Sequence, residues 1–119
     1  MRKFALVLAV LAAFAVPAIS FASSNSISVV HISAPASGLR YDQKGVHARA
    51  GKIRIIFLNR STLKHNVNVE NGEHELGRTT TIGRGTTTVV VTLRAGKYNF
   101  YCSVPGHEDA GMRGTLIVS

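Results

Sequence analysis

The sequence predicts an all-β sandwich of seven or eight strands. Apolar, β-branched runs of strand length follow one another closely and are separated by polar, Gly-containing turns. The clearest runs alternate apolar and polar residues with the two-residue period of a half-buried sheet. No stretch sustains the 3.6-residue period of an amphipathic helix.

Ser26 to Ser33 reads as the first strand, with Ile27, Val29 and His31 on one face. Ala34-Pro35-Ala36-Ser37-Gly38 is rich in turn formers. Leu39 to Tyr41 and Val46 to Ala50 read as short strands about a polar Asp42–Gly45 link. Gly51 ends them, and Lys52 to Asn59 follows as a core strand with Ile53, Ile55 and Phe57 on one face. From His65 to Glu70 the alternation is clean: His65, Val67 and Val69 share the apolar and therefore inner face, while Asn66, Asn68 and Glu70 share the other. An inward imidazole needs a partner, and a metal ion supplies one. Asn71 to Gly85, rich in Gly, Thr and charge, reads as a loop. Thr86 to Leu93 is a strand, turned by Ala95-Gly96-Lys97 into Tyr98 to Ser103. There Tyr98, Phe100 and Cys102 point inward, and Asn99 and Tyr101 point outward. Gly114 to Val118 closes the sheet.

The chain has 119 residues, the length of one domain, and its start is set apart from the rest. Met1-Arg2-Lys3 is basic, the 13 residues from Phe4 to Val16 are all apolar, Pro17 breaks the run, and Ser20-Phe21-Ala22 is a small-residue cleavage signal. This is the pattern of a secretory signal peptide over residues 1–22, with the folded domain spanning 23–119. The rival, a retained anchor, suits a run of about 20 apolar residues better. Export implies the periplasm or the outside of the cell and no stable membrane insertion after cleavage.

Without residues 1–22 the chain keeps 12 basic and 6 acidic residues, a net charge of +6. Nucleic acid is excluded as a partner by export and by the scatter of the cations along the strands. A basic surface suits transient docking on an acidic partner or a place near anionic lipid, and the plainer alternative is a basic surface that serves solubility. With one Cys in the chain an internal disulfide is impossible, and a free thiol in an oxidising compartment is a liability unless a metal occupies it.

That Cys opens the stretch Cys102-Ser103-Val104-Pro105-Gly106-His107-Glu108-Asp109-Ala110-Gly111-Met112. Cys, His and Met stand in order with four residues in each gap, and Met112 is the only Met besides the initiator. Taken singly, a buried Cys is a small hydrophobe, a Met is packing, and a His beside a strand is structural. Together a thiolate, an imidazole and a thioether form a soft donor set, which selects copper. A trigonal His₂Cys centre with a weak axial Met needs a second His, and the candidate is His65 in Lys64-His65-Asn66-Val67. His31 and His47 are scattered. His74, between two Glu, reads as a solvated loop residue, with a second metal site as the alternative.

Tyr98-Asn99-Phe100-Tyr101-Cys102-Ser103 with His107 and Gly111-Met112 resembles the copper loop of plastocyanin, and Asn59 with His65-Asn66 resembles that family's first-ligand region. The likeness runs from about Ser26 to the end. Plastocyanin has two fewer residues between Cys and His; azurin has the same Cys–His gap and one fewer residue between His and Met. The chain thus resembles a small cupredoxin between the two. The resemblance implies a cupredoxin-like Greek-key sandwich and one type 1 copper ion held by His65, Cys102, His107 and Met112. It implies that the Asn66 N–H donates to the Cys102 sulfur and that electrons leave through His107, with Tyr101 as a second candidate port. The expected partners are redox proteins such as a cytochrome or oxidase, with an acidic docking surface because this chain is basic, and the protein is expected to be a monomer.

Two other classes remain. A copper chaperone or sink would bind the metal without redox cycling. An enzyme using Cys102 and His107 as nucleophile and base is disfavoured, because no cysteine-protease signature surrounds Cys102; nor does the chain have the extra His clusters of a multicopper oxidase or the second Cys of a dinuclear centre.

Overall fold

Eight strands build two facing sheets in a computed structural model that describes residues 5, 7–19 and 26–119. The strands are β1 (Ser28–Ala34), β2 (Gly45–Ala48), β3 (Gly51–Asn59), β4 (Asn68–Asn71), β5 (His74–Arg78), β6 (Gly85–Leu93), β7 (Gly96–Tyr101) and β8 (Arg113–Val118). One sheet has the order β1-β3-β6 and the other β2-β8-β7-β4-β5. The pairs β1–β3 and β2–β8 run parallel and the others antiparallel. Consecutive strands therefore cross between sheets instead of forming hairpins throughout, as a Greek-key sandwich requires.

Parity along the strands decides what is buried. On β3, Ile53, Ile55 and Phe57 face the core as the alternation predicts, and on β7 Tyr98 and Phe100 do the same, followed by Cys102. The β1 face that carries Ile27, Val29 and His31 is the outer one: Val30, Ile32 and Ala34 are buried instead, while Val29 and His31 are exposed. Tyr41 closes the core between the sheets. Its ring meets Phe57 edge-on at 6.0 Å and Phe100 at 5.3 Å, spacings that favour aromatic pairs.

Three predicted elements change. Leu39–Tyr41 is a loop, because local bonds replace a ladder: Asp42 N–H donates to the Ser33 carbonyl, Ser33 Oγ donates to the Asp42 carboxylate at 2.6 Å, and Ser33 N–H donates to Gln43 at 2.8 Å. The predicted strand from His65 is ladder-paired only from Asn68 on. His65 itself makes an isolated bridge to Ile82, and Val67 N–H donates to Thr79 Oγ1. The predicted loop after Asn71 contains β5, turned from β4 at Asn71-Gly72-Glu73. β5 is an edge strand whose one large apolar side chain, Leu76, stays exposed, so it lacks the alternation that marks a half-buried strand. Its Gly77 is steric: a Cβ there would lie 2.5 Å from Val91 Cγ1.

Among the described residues, the hydrophobic core draws only on residues 30–118. Residues 5 and 7–19 carry no helix or strand, and their large apolar side chains are exposed. No helix among the described residues is long and apolar enough to cross a membrane. The Met1-Arg2-Lys3 segment and the Ser20-Phe21-Ala22 cleavage signal lie outside the described residues.

Candidate metal centre

The sheets bring three segments to one end of the sandwich. β3 ends at Asn59, whose side-chain amide donates to the Leu63 and Ile82 carbonyls at 2.8 and 2.9 Å. That fixes the 60–65 turn against the 79–84 segment. His65 then exchanges two backbone hydrogen bonds with Ile82, at 2.9 and 3.0 Å. β7 delivers Cys102 inward, and the chain folds back so that Cys102 N–H donates to the Met112 carbonyl and Met112 N–H to the His107 carbonyl, each at 3.1 Å. Gly106 and Gly111, with φ of +82° and +111°, make the two reversals that bring His107 back over Cys102. Side-chain-bearing residues are strained at those angles.

His65, Cys102 and Met112 are fully buried and His107 is half-buried. The Nδ1 atoms of His65 and His107 lie 3.1 Å apart, and Cys102 Sγ lies 3.5 Å from the His107 Nδ1 and 3.9 Å from the His65 Nδ1. Two imidazole lone pairs turn toward each other only with a proton or a cation between them. A triangle with these three sides has a circumradius of about 2 Å, within the range of metal–nitrogen and metal–sulfur bonds. One ion in the donor plane is thus in reach of all three atoms, and the donor set is the soft one that copper selects. Burial, and then the neighbouring His107, hold His65 below the ordinary imidazole range. This favours its neutral form, the one that binds a metal.

Asn66 ties the two halves of the centre together. It is buried; its Nδ2 donates to Thr81 Oγ1 and Ser103 Oγ, both at 2.8 Å, and its Oδ1 accepts from Ser103 N–H at 2.9 Å. The Tyr41 hydroxyl donates to the Asn66 carbonyl at 2.5 Å. Burial, and then the charges of Cys102 and Glu108, push the Tyr41 phenol far above its usual range, so it remains a donor. Tyr41 was invisible as a site residue in the sequence, where nothing distinguishes it from a core aromatic. Tyr41→Phe is expected to keep the ring packing and the copper colour while lowering stability by about 1–2 kcal/mol, since it strands one buried carbonyl. Denaturant titration of the copper-free protein measures it.

Tyr101 is half-buried on the outer face of β7. Glu70, Glu75 and Glu108 lie near it, together with Arg78 and with Arg113, its ladder partner on β8. Burial comes first, and then Glu70, Glu75 and Glu108, in pushing its phenol up. Glu108 and Asp109 also line the hollow of about 260 Å³ beside Tyr101 and Ser103. The β4–β5–β7 pairing brings Glu70 and Glu75 to this face, which net charge alone does not reveal. The other histidines stay apart. His31 and His47 lie exposed on β1 and β2, and His74 lies exposed on β5. Among the described residues the cluster of three or more His, Cys or acidic donors is His65, Cys102 and His107.

A Greek-key sandwich with a Cys and two His converging on one point, and a Met on the same loop, defines a mononuclear type 1 copper protein. The chain belongs to the family described as "Copper binding proteins, plastocyanin/azurin family", whose sequence model matches residues 28–119. Solved structures agree on the fold. A dithionite-reduced auracyanin from Roseiflexus castenholzii is 24% identical with a TM-score of 0.72, over 76% of this chain and 96% of that one. Auracyanin A from Chloroflexus aurantiacus, described as a "blue" copper protein, is 21% identical with a TM-score of 0.70, over 79% and 100%. A reduced amicyanin variant is 20% identical with a TM-score of 0.57, over 76% and 82%. No curated protein sequence matches the chain.

Proposed function

We propose that this protein is an exported carrier of single electrons, whose copper would be held by His65, Cys102, His107 and Met112. The observation that carries the reading is the Nδ1–Sγ–Nδ1 triangle with its radius of about 2 Å. Bound copper supplies the one-electron Cu(I)/Cu(II) couple. The chain's own part is to keep the donors still. His65 is locked to Ile82, Cys102 to Met112, and Asn66 clamps one segment to the other. Donors that do not move between oxidation states keep reorganisation small, which is what a carrier needs. If the Asn66 N–H donates to the Cys102 sulfur, as the family resemblance implies, it would withdraw charge from the thiolate and tune the potential.

His107 is the donor that is only half-buried, and we assign the electron exit to it. Lys64 and Arg84, exposed on the two segments bridged at His65 and Ile82, suit an acidic redox partner such as a cytochrome or oxidase. Residues 1–22 act as the leader, cut after Ala22, and leave residues 23–119 as a monomer in the periplasm or outside the cell.

The test is to titrate the purified protein with Cu(II) and then cycle it with dithionite and ferricyanide. A carrier gives an intense visible thiolate-to-Cu(II) band that vanishes and returns over many cycles with one electron per copper. A protein that binds Cu(I) and gives no such band is a chaperone or sink.

A further inference from the structure

The end of the sandwich opposite the metal centre carries a second feature. Strand register fixes which residues meet there. β3 starts at Gly51 opposite Leu93, and β7 starts at Gly96 opposite Val118. β1 starts beside them at Ser28, which pairs with Ile53, and Ala50 N–H donates to the Ser119 carbonyl. The same strands end, at Asn59 and Tyr101, beside the metal centre. The far pole therefore gathers Arg49, Lys52, Arg94 and Lys97, all exposed. None of them is in either ion pair formed among the described residues. Ser119 shares the pole, and the β4–β7 register turns the β4–β5 connection, which carries Glu73, toward the same side.

The chain enters the fold at this same pole, at Ser26, so the apolar stretch of the sequence lies upstream of it. There Arg49 N–H donates to Ser28 Oγ at 3.2 Å and the Arg49 guanidinium donates to Ser26 Oγ at 3.3 Å. A chain whose apolar leader meets a bilayer presents this pole to the lipid first. We propose that the pole of Arg49, Lys52, Arg94 and Lys97 docks on an anionic lipid surface, holding the domain so that the metal centre faces away from the membrane. Each cation near an anionic surface adds to the attraction, which fades within a Debye length. Docking does not need the leader once the domain is released. The arrangement also separates two tasks: lipid holds one pole and leaves the His107 end free for partners. An acidic protein is the other occupant such cations suit. The lipid surface is favoured because the chain that precedes the fold enters here and not at the copper end.

The experiment uses copper-loaded residues 23–119, which contain the whole core, in co-sedimentation with phosphatidylcholine vesicles made with and without phosphatidylglycerol. Binding is expected only with phosphatidylglycerol, falling as salt rises. R94E/K97E is expected to weaken it at least about ten-fold. K64E/R84E, the same change in net charge at the opposite end, is expected to leave it within about two-fold. The visible band reports that each variant is folded. Equal losses in the two variants would reduce the effect to net charge and overturn the proposal. Absence of binding by the parent, or binding to pure phosphatidylcholine, would also overturn it. Retention on immobilised polyglutamate without vesicle binding would assign the pole to an acidic protein.

Discussion

Cys102→Ser is expected to abolish the visible absorption of the copper-loaded protein completely. The colour of such a centre comes from charge moving from thiolate sulfur to Cu(II), and this chain has one sulfur of that kind. Its Sγ stands 3.5 and 3.9 Å from the two imidazole nitrogens, and the residue is fully buried, so no other donor replaces it. Serine fills nearly the same volume, and its hydroxyl is a hard, weakly acidic ligand that copper disfavours. The substitution therefore removes the donor while disturbing the packing little. A second consequence is thermodynamic. Copper that binds the folded state alone stabilises it by about 4 kcal/mol at a thousand-fold excess over its dissociation constant. The parent should show that shift on thermal melting with Cu(II), and most of it should vanish in the variant. Visible spectra and paired melts check both. A persistent blue band in Cys102→Ser would remove Cys102 from the centre.

The parts of this centre legible in the sequence are those that local periodicity determines. Parity on β3 and β7 places Ile53, Ile55, Phe57, Tyr98, Phe100 and Cys102 inward because each strand has one wet face. From His65 on it is incomplete: His65 is buried as expected, but so are Asn66 and Asn68 of the other alternating set. Parity fails on β1, where both alternating sets contain apolar residues: Val29 and Ile27 compete with Val30 and Ile32, and tertiary pairing with β3 decides between them. β5 was unreadable for the opposite reason. An edge strand paired on one side and exposed throughout has no apolar face to betray it. The role of Tyr41 and the mixed charges around Tyr101 depend on segments brought together by strands far apart in sequence. Neither a motif nor a net charge encodes that proximity.

The second large effect falls on Asn66, the residue that converts two separate segments into one centre. Asn66→Ala is expected to lower the stability of the copper-free protein by roughly 3–5 kcal/mol. Three hydrogen bonds disappear together: those to Thr81 Oγ1, Ser103 Oγ and Ser103 N–H. Each partner left unpaired inside costs about 1–3 kcal/mol, and the cavity adds to this. For a domain whose whole stability is of the order of 5–15 kcal/mol, that is a large share. Tyr41→Phe removes one bond at the same residue and should cost less than half as much. The order matters more than either value. If the Asn66 side chain clamps the His65 segment to the Cys102 strand, its loss should also free the donors to move. The copper-loaded variant should then release copper to a chelator faster and show a broadened or shifted visible band. Tyr41→Phe should change neither. Denaturant titration, chelator-driven loss of colour and the visible spectrum separate the two variants. If Asn66→Ala cost no more than Tyr41→Phe, with an unchanged band and unchanged copper release, the clamp would be refuted, and the backbone bonds of His65 and Cys102 alone would hold the centre.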